Sequence, residues 1–262
     1  MSVSPDHFLT ALTERAQVRA EAARVAEAGR GAPAVRAPAR ALEAALRRRR
    51  FGLIAEAKRR SPSRGVLAPG AYDAGQLARR YEEAGAAAVS VLTEPHFFDG
   101  RLDDLRAARA ATALPLLRKD FILDPAQVRE SARAGADAVL AIVRILTRPA
   151  LGDLLAEADR WGVDVLVEVH SRSELDMALE AGARLVGVNN RDLDTFVTDW
   201  RRSLALAAAL PPGVLAVAES GIRDLSQVVE LERHGYRAAL VGEAVMTDGV
   251  GLVEAVRAWV GG

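Results

Sequence analysis

Apolar and polar positions along this chain follow two periods, and the switch between them recurs. Near-continuous, β-branched apolar runs of strand length stand at Phe51–Ala55, Ala87–Leu92, Pro115–Leu117, Ala138–Val143, Val163–Val167, Leu185–Val188, Val214–Ala218 and Ala238–Val241. Such runs predict strands buried on both faces, as in a parallel sheet covered by helices. Between them, apolar residues fall three and four apart in Asp73–Ala84, Pro125–Ala134, Arg172–Ala181 and Leu225–His234, which predicts amphipathic helices. Gly85, Gly135, Gly182 and Gly235 follow directly on these helices, where a left-handed terminating residue is expected. Eight strand–helix units in about 210 residues predict a single closed (β/α)8 TIM barrel of the α/β class rather than an open doubly wound sheet. The absence of a Gly-x-Gly-x-x-Gly between the first strand and helix points the same way.

Residues 1–50 stand outside the repeat. Pro5–Ala28 is rich in Ala, Glu and Arg and predicts a helix, broken at Gly29-Arg30-Gly31-Ala32-Pro33; Ala39–Arg50 predicts a second. The expected organisation is an N-terminal helical extension (1–50) lying on a barrel (51–262) within one structural domain.

Composition narrows the function classes. Basic and acidic residues balance at 35 each, so no net field favours nucleic acid or an anionic membrane, and the Arg47–Arg50 run is expected to be a solvated helix end. The chain has no cysteine and only 4 scattered histidines, which gives no disulfide, no thiolate nucleophile and no spacing typical of a metal site. No apolar run reaches the roughly 18 residues of a membrane span, and the N-terminus lacks a signal-like apolar core. The expectation is a cytoplasmic protein, a monomer or weak homo-oligomer, with no cofactor and no metal.

One compositional fact changes the picture more. Of 35 Lys and Arg residues only Lys58 and Lys119 are lysine, and the only asparagines are Asn189 and Asn190. Arginine stays protonated in proteins, whereas a lysine ammonium is compact and shifts its pKa on burial. All four residues fall at the C-terminal ends of predicted strands, where barrel enzymes place their sites. In chain order those ends carry Glu56 and Lys58, Thr93-Glu94, Lys119-Asp120, Arg144, Glu168, Asn189-Asn190-Arg191, Glu219-Ser220-Gly221 and Gly242-Glu243. Residues i and i+2 of a strand share a face, so Glu56 and Lys58 point inward together. Three inward carboxylates (Glu56, Glu168, Glu219) with two ammonium groups are the arrangement acid–base chemistry needs at neutral pH. Gly221 and Gly242 follow the seventh and eighth strands, where barrels often hold a phosphate, and Arg191 is near; a small phosphorylated metabolite is the expected substrate.

The segments Ile54–Gly65 (Ile-Ala-Glu-Ala-Lys-Arg-Arg-Ser-Pro-Ser-Arg-Gly), Leu92–Gly100, Leu117–Ile122, Leu166–His170, Gly187–Leu193 and Ala218–Ile222 together resemble the indole-3-glycerol phosphate synthase family of tryptophan biosynthesis. The resemblance runs from about residue 5 to the C-terminus. It implies a lyase (a decarboxylase) that closes an indole ring on an anthranilate-bearing ribulose phosphate, with loss of carbon dioxide and water and without a cofactor. By matching motif it implies Lys119 as general acid and Glu168 as the base that assists dehydration. Lys58 would steady the substrate's carboxylate or phosphate and donate a proton in the second stage. Glu56 would hold Lys119 charged and oriented, while Asn189, Glu219 and Ser220 would position hydroxyls. Phosphate would lie on Arg191, Gly221, Gly242 and the backbone of Glu243, with Ser61 nearby; Phe98, Phe121, Leu140 and Leu193 would flank the anthranilate ring. Glu243 departs from the family pattern, in which Ser is common, and an inward carboxylate there would repel phosphate. Arg59-Arg60 would form a basic rim on the loop Arg59–Gly65, a candidate lid. The inward acids and amines also fit a sugar-phosphate isomerase on the same scaffold, a Schiff-base aldolase with one lysine as nucleophile, or a non-catalytic sensor of a phosphorylated metabolite.

Overall fold

Eight parallel strands close into a barrel in the computed structural model, which describes residues 5–31, 42–62, 64–67 and 72–261, with the side chains of 5–7 left aside. In chain order they are β1 (Gly52–Ala57), β2 (Ala88–Leu92), β3 (Leu116–Lys119), β4 (Ala138–Ile142), β5 (Asp164–Val169), β6 (Leu185–Asn189), β7 (Leu215–Glu219) and β8 (Ala238–Val241). Each strand pairs with its sequence neighbours, and β1 pairs with both β2 and β8, so no edge is left exposed. Helices alternate with the strands and cover them outside.

Strand residues divide by parity, as the pleat requires. Ile54, Leu117, Leu140, Leu166, Leu185, Val217 and Leu240 point inward and fill the barrel; Leu42 and Leu46 of the short helix Leu42–Arg47 join the same cluster. Leu53, Ala55, Val89, Val139, Val167, Val186 and Ala239 point outward into the layer beneath the helices. Near-continuous apolar strands follow from this, because both faces are dry.

Local signals set the helix ends. Asp73, Asp124, Thr147, Ser171 and Asp224 each cap a helix N-terminus through a side-chain oxygen, worth about 1 kcal/mol apiece. The four glycines expected after helices take φ of 99°, 99°, 90° and 89°.

The N-terminal helix spans Pro5–Glu27, and Phe8, Leu12 and Ala16 on one of its faces join the cluster that fills the barrel. The second predicted helix is shorter than expected, Leu42–Arg47; its predicted start at 39–41 and the break at 32–33 lie outside the described residues. Arginines at its end are engaged rather than simply solvated. Arg47 pairs with Glu43 (2.8 Å), Arg50 pairs with Glu232 (2.9 Å), and Arg49 donates to the carbonyl of Gly85 (3.2 Å). No helix among the described residues is long and apolar enough to cross a membrane.

β1, β2, β3, β5 and β7 start one residue later than the sequence predicts, and β4 ends at Ile142 rather than Val143. β1, β3, β5, β6 and β7 continue past the last apolar residue of the predicted run, taking in Glu56, Lys119, Glu168, Asn189 and Glu219. These five polar residues therefore stand on the strands themselves, while Lys58, Arg191, Ser220 and Glu243 follow just after strand ends.

Candidate active site

Lys119 projects from the end of β3 into the mouth of the barrel, where its Nζ lies 2.5 Å from Glu219 Oε2 and 3.3 Å from Glu168 Oε2. Both carboxylates are almost completely buried. Glu168 Oε1 also accepts the Asn189 side-chain amide at 3.0 Å, and Asn189 Oδ1 in turn accepts the backbone N–H of Arg191 at 3.0 Å. At the end of β1, one strand removed from β3, Lys58 Nζ lies 2.5 Å from Glu56 Oε1. The structure therefore corrects one expectation: Glu56 holds Lys58 by direct contact, and Glu219 is the close partner of Lys119. Glu56 acts on Lys119 only through its charge. Strand register decides this, because Glu56 and Lys58 share one strand face whereas Glu219 reaches Lys119 from across the barrel.

Two glycines make these contacts possible. A Cβ at Gly187, on the inward face of β6, would lie 2.0 Å from Glu219 Oε1. A Cβ at Gly242 would lie 2.2 Å from Glu56 Oε1 and 2.8 Å from Lys58 Nζ. Each glycine marks the close approach of a charged group to backbone, which any other residue would block.

The environment pushes the two carboxylates around Lys119 apart. Burial raises the Glu168 carboxyl, but Lys119, His170 and the Asn189 amide outweigh it and leave its pKa below the usual value. Burial also raises Glu219; there Lys119 opposes, the Glu168 charge adds, and the result is pushed up to about 7. Burial lowers the Lys119 ammonium, yet Glu219, Glu168 and Glu56 together reverse the sign and keep it protonated. One base ready to accept, one acid titrating near neutrality and one fixed cation thus share a single pocket.

Around this centre the cleft is lined by the expected Glu56, Lys58, Ser61, Phe98, Lys119, Phe121, Leu140, Glu168, Asn189, Arg191, Leu193, Ser220, Gly221, Gly242 and Glu243. Glu219 is the exception, lying beneath Lys119 rather than on the wall. Ser220 takes a left-handed backbone conformation (φ 66°), which turns the chain sharply at the end of β7. Asn190 serves structure instead: its amide bonds the Ser220 carbonyl (3.1 Å), and its oxygen accepts from the backbone and hydroxyl of Ser203.

The wall on one side is aromatic. Phe98 and Phe121 meet at 6.3 Å, and Phe8 from the N-terminal helix meets Phe97 at 4.9 Å and Phe196 at 5.0 Å, both edge to face. Phe8 and Phe196 line the cleft and were not anticipated from the sequence. Of the 6 phenylalanines in the chain, all but Phe51 stand at this mouth, a clustering their spacing along the sequence does not show.

The other end of the cleft is cationic. Arg64 (2.6 Å), Arg191 (3.6 Å) and Arg223 (3.6 Å) converge on the Glu243 carboxylate. The side chain that was expected to matter only if it faced inward is thus an internal anion among three arginines, two of them (Arg64 and Arg223) absent from the sequence reading of the site. Arg59 is not on a basic rim: it stacks on Tyr72 at 4.6 Å and pairs with Asp99 at 3.5 Å. Arg60 is exposed, and the loop forms a small hairpin, Arg60–Ser61 against Gly65–Val66; its Ser63 lies outside the described residues.

Known proteins match along most of the chain. A family model described as indole-3-glycerol phosphate synthase matches residues 10–253. The indole-3-glycerol phosphate synthase of Syntrophobacter fumaroxidans is 56% identical over 200 residues, covering 76% of this chain and 75% of that protein. That of Mycolicibacterium vanbaalenii is 47% identical over 236 residues, covering 90% and 86%. Among solved structures, a thiamine phosphate pyrophosphorylase from Pyrococcus furiosus superposes with a TM-score of 0.61 at 19% identity, covering 82% of this chain and 97% of that one, a likeness of fold alone.

Proposed function

The chain belongs to the indole-3-glycerol phosphate synthase family, and from that premise we propose how its site closes an indole ring. The reaction converts 1-(2-carboxyphenylamino)-1-deoxyribulose 5-phosphate to indole-3-glycerol phosphate with loss of carbon dioxide and water, which makes the protein a carboxy-lyase of tryptophan biosynthesis.

The observation that carries the assignment of roles is the position of Lys119. Its ammonium stands between an aromatic wall and a cluster of arginines, with two carboxylates of opposite pKa tendency beside it. The anthranilate ring lies against Phe98, Phe121, Leu140 and Leu193, with Phe8 and Phe196 completing the wall. The phosphate lies at the opposite end on Arg191, Gly221, Gly242 and the Glu243 backbone near Ser61, and it takes Arg64 and Arg223 from the Glu243 carboxylate. A site that already draws an internal anion is suited to an external one carrying more charge.

In the first stage the ring carbon bearing the carboxylate attacks the ketone. The carbonyl electron pair moves to oxygen, and Lys119 delivers its proton there. An ammonium held charged by its neighbours is still a proton donor here, because an alkoxide is the stronger base. The carbon–carboxylate bond then breaks and returns its pair to the ring system as carbon dioxide leaves. In the second stage Lys58 protonates the departing hydroxyl and Glu168 takes the proton whose loss completes the aromatic ring. Asn189 and Ser220 position the sugar hydroxyls, and Glu219 orients the Lys119 ammonium from beneath. The pairing of Lys119 with two carboxylates also argues against a Schiff-base aldolase, which needs a neutral amine.

Indole fluorescence from the purified protein and the carboxyphenylamino-deoxyribulose phosphate tests the roles directly. Lys119→Ala should lower kcat by about 1,000-fold or more while leaving the fold and much of the substrate affinity intact. Near-normal turnover would overturn the assignment.

A further inference from the structure

His170 lies two residues beyond Glu168, and its imidazole is fully buried between two carboxylates. Nδ1 is 3.2 Å from Glu174 Oε2, an oxygen that also accepts the His170 backbone N–H at 2.6 Å. Nε2 has no hydrogen-bond partner and lies 3.5 Å from Glu168 Oε1. Contacts of this length around a catalytic group commonly shorten once substrate is bound. Burial of an unpartnered ring nitrogen is costly unless it has a use.

The surroundings give it one. Glu168 has two oxygens with different neighbours: Oε2 faces Lys119, while Oε1 faces Asn189 and His170. Behind the imidazole, Glu174 is fixed by Arg144 Nε at 3.2 Å, and Arg144 also reaches Asp194 at 3.0 Å. Charged groups therefore face the pair from every packed element: Lys119 from β3, Glu219 from β7, Glu174 from the helix Arg172–Glu180, and Arg144 from the turn after β4. Of the two groups beside Oε1, Asn189 lies on the cleft wall, whereas His170 is buried behind it, between Glu168 and the Glu174–Arg144 pair.

We propose that His170 is a positioning residue: its Nε2–H fixes Glu168 Oε1, so that Oε2 is presented to the substrate as the proton acceptor. This rests on the reading of Glu168 as the base of the second stage. In that step the substrate's proton goes to Oε2, its bonding pair enters the forming ring double bond, and the hydroxyl leaves as water with the proton from Lys58. His170 neither gains nor loses a proton.

Two substitutions separate this role from a merely structural one, because each restores one ring nitrogen. Glutamine places an amide near Nε2 and asparagine near Nδ1. His170→Gln should keep kcat within about threefold of wild type at its optimum but move the acidic limb of the kcat–pH profile up by about one unit, since a neutral donor replaces a group that lowers the Glu168 carboxyl. His170→Asn keeps the bond to Glu174 and leaves Oε1 to the Asn189 amide alone, so kcat should fall about ten- to a hundredfold. Thermal melting of both variants accompanies the kinetics. The reverse order, with asparagine near normal and glutamine impaired, would overturn the proposal, as would two variants with wild-type pH profiles. A 15N spectrum of the unsubstituted protein at its activity optimum gives a readout that does not depend on the variants folding: Nε2 should carry a proton, and a bare Nε2 overturns the proposal. Glu168→Gln measured in parallel keeps the two readings distinct. Its near-normal turnover would remove the base assignment, whereas an inactive Glu168→Gln with the reversed order at position 170 would remove His170 alone.

Discussion

Glu219 shows how one buried carboxylate shapes the pH behaviour of the protein. Burial first, and the Glu168 charge after it, raise its carboxyl from the ordinary 4.5 to about 7 despite the ammonium of Lys119 beside it. The folded form therefore binds a proton more tightly than the unfolded chain does. Its contribution to stability is fully present below the unfolded value and is lost as pH rises through about 7. Glu219→Gln removes this dependence. Comparing urea unfolding of the two proteins, the variant should gain on wild type by about 2–3 kcal/mol between pH 5 and pH 8. A difference in stability that is the same at both pH values would show that Glu219 does not titrate in this window. Glu168, held low by Lys119 and His170, works in the opposite sense and loses its contribution only in acid.

The strand ends explain why the site tolerates so few changes of backbone. β8 closes the barrel beside β1, and Gly242 brings its backbone against the Glu56–Lys58 pair with no room for a methyl group. The atoms a methyl group would strike are the tips of side chains, so the fold can yield while the pair cannot stay where it is. Gly242→Ala should therefore lower kcat about ten- to a hundredfold with little change in melting temperature. Unchanged kcat would mean that the Glu56–Lys58 geometry is not needed for turnover. The same reasoning applies to Gly187 under Glu219, where the strand gives up a side chain so that a carboxylate from its neighbour can lean across.

The N-terminal helix and the barrel are joined by a buried ionic network that also sets the site. Arg19 on the helix reaches Glu94 (3.1 Å) after β2 and Asp120 (3.0 Å) after β3. Asp120 is next to Lys119, accepts the Thr93 hydroxyl at 2.6 Å and pairs with Arg118 at 3.1 Å. Burial raises its carboxyl, and Arg118, Arg19 and Thr93 together bring it below the usual range. Glu94 accepts the backbone N–H groups of His96, Phe97 and Phe98, which shapes the loop that carries the aromatic wall. One arginine thus ties a distant helix to both the strand end that carries Lys119 and the loop that carries the aromatic wall. Arg19→Ala should cost about 2–3 kcal/mol in unfolding free energy and raise KM through the loosened Phe98 loop. If melting temperature and KM both stay at wild-type values, the helix is not coupled to the site.

Local patterning was enough to place the strands and helices, because these follow from spacings of two to four positions, and eight repeats of the strand–helix unit pointed to a closed barrel with the polar strand ends at its mouth. The rarity of lysine and asparagine was likewise visible without coordinates; it pointed at Lys58, Lys119 and Asn189, which line the cleft, and equally at Asn190, which bonds Ser220 and Ser203 instead. Tertiary structure alone decided which acid meets which amine. Lys119 finds Glu168 49 positions away and Glu219 100 positions away, and the strand register sets those distances. It also brought Phe8 and Phe196 to the aromatic wall of the cleft and Arg64 and Arg223 to Glu243, since an aromatic or an arginine in a helix or loop carries no period that says what it will face. Periodicity is a property of neighbours in sequence, whereas the electrostatics of a closed barrel depend on neighbours in space.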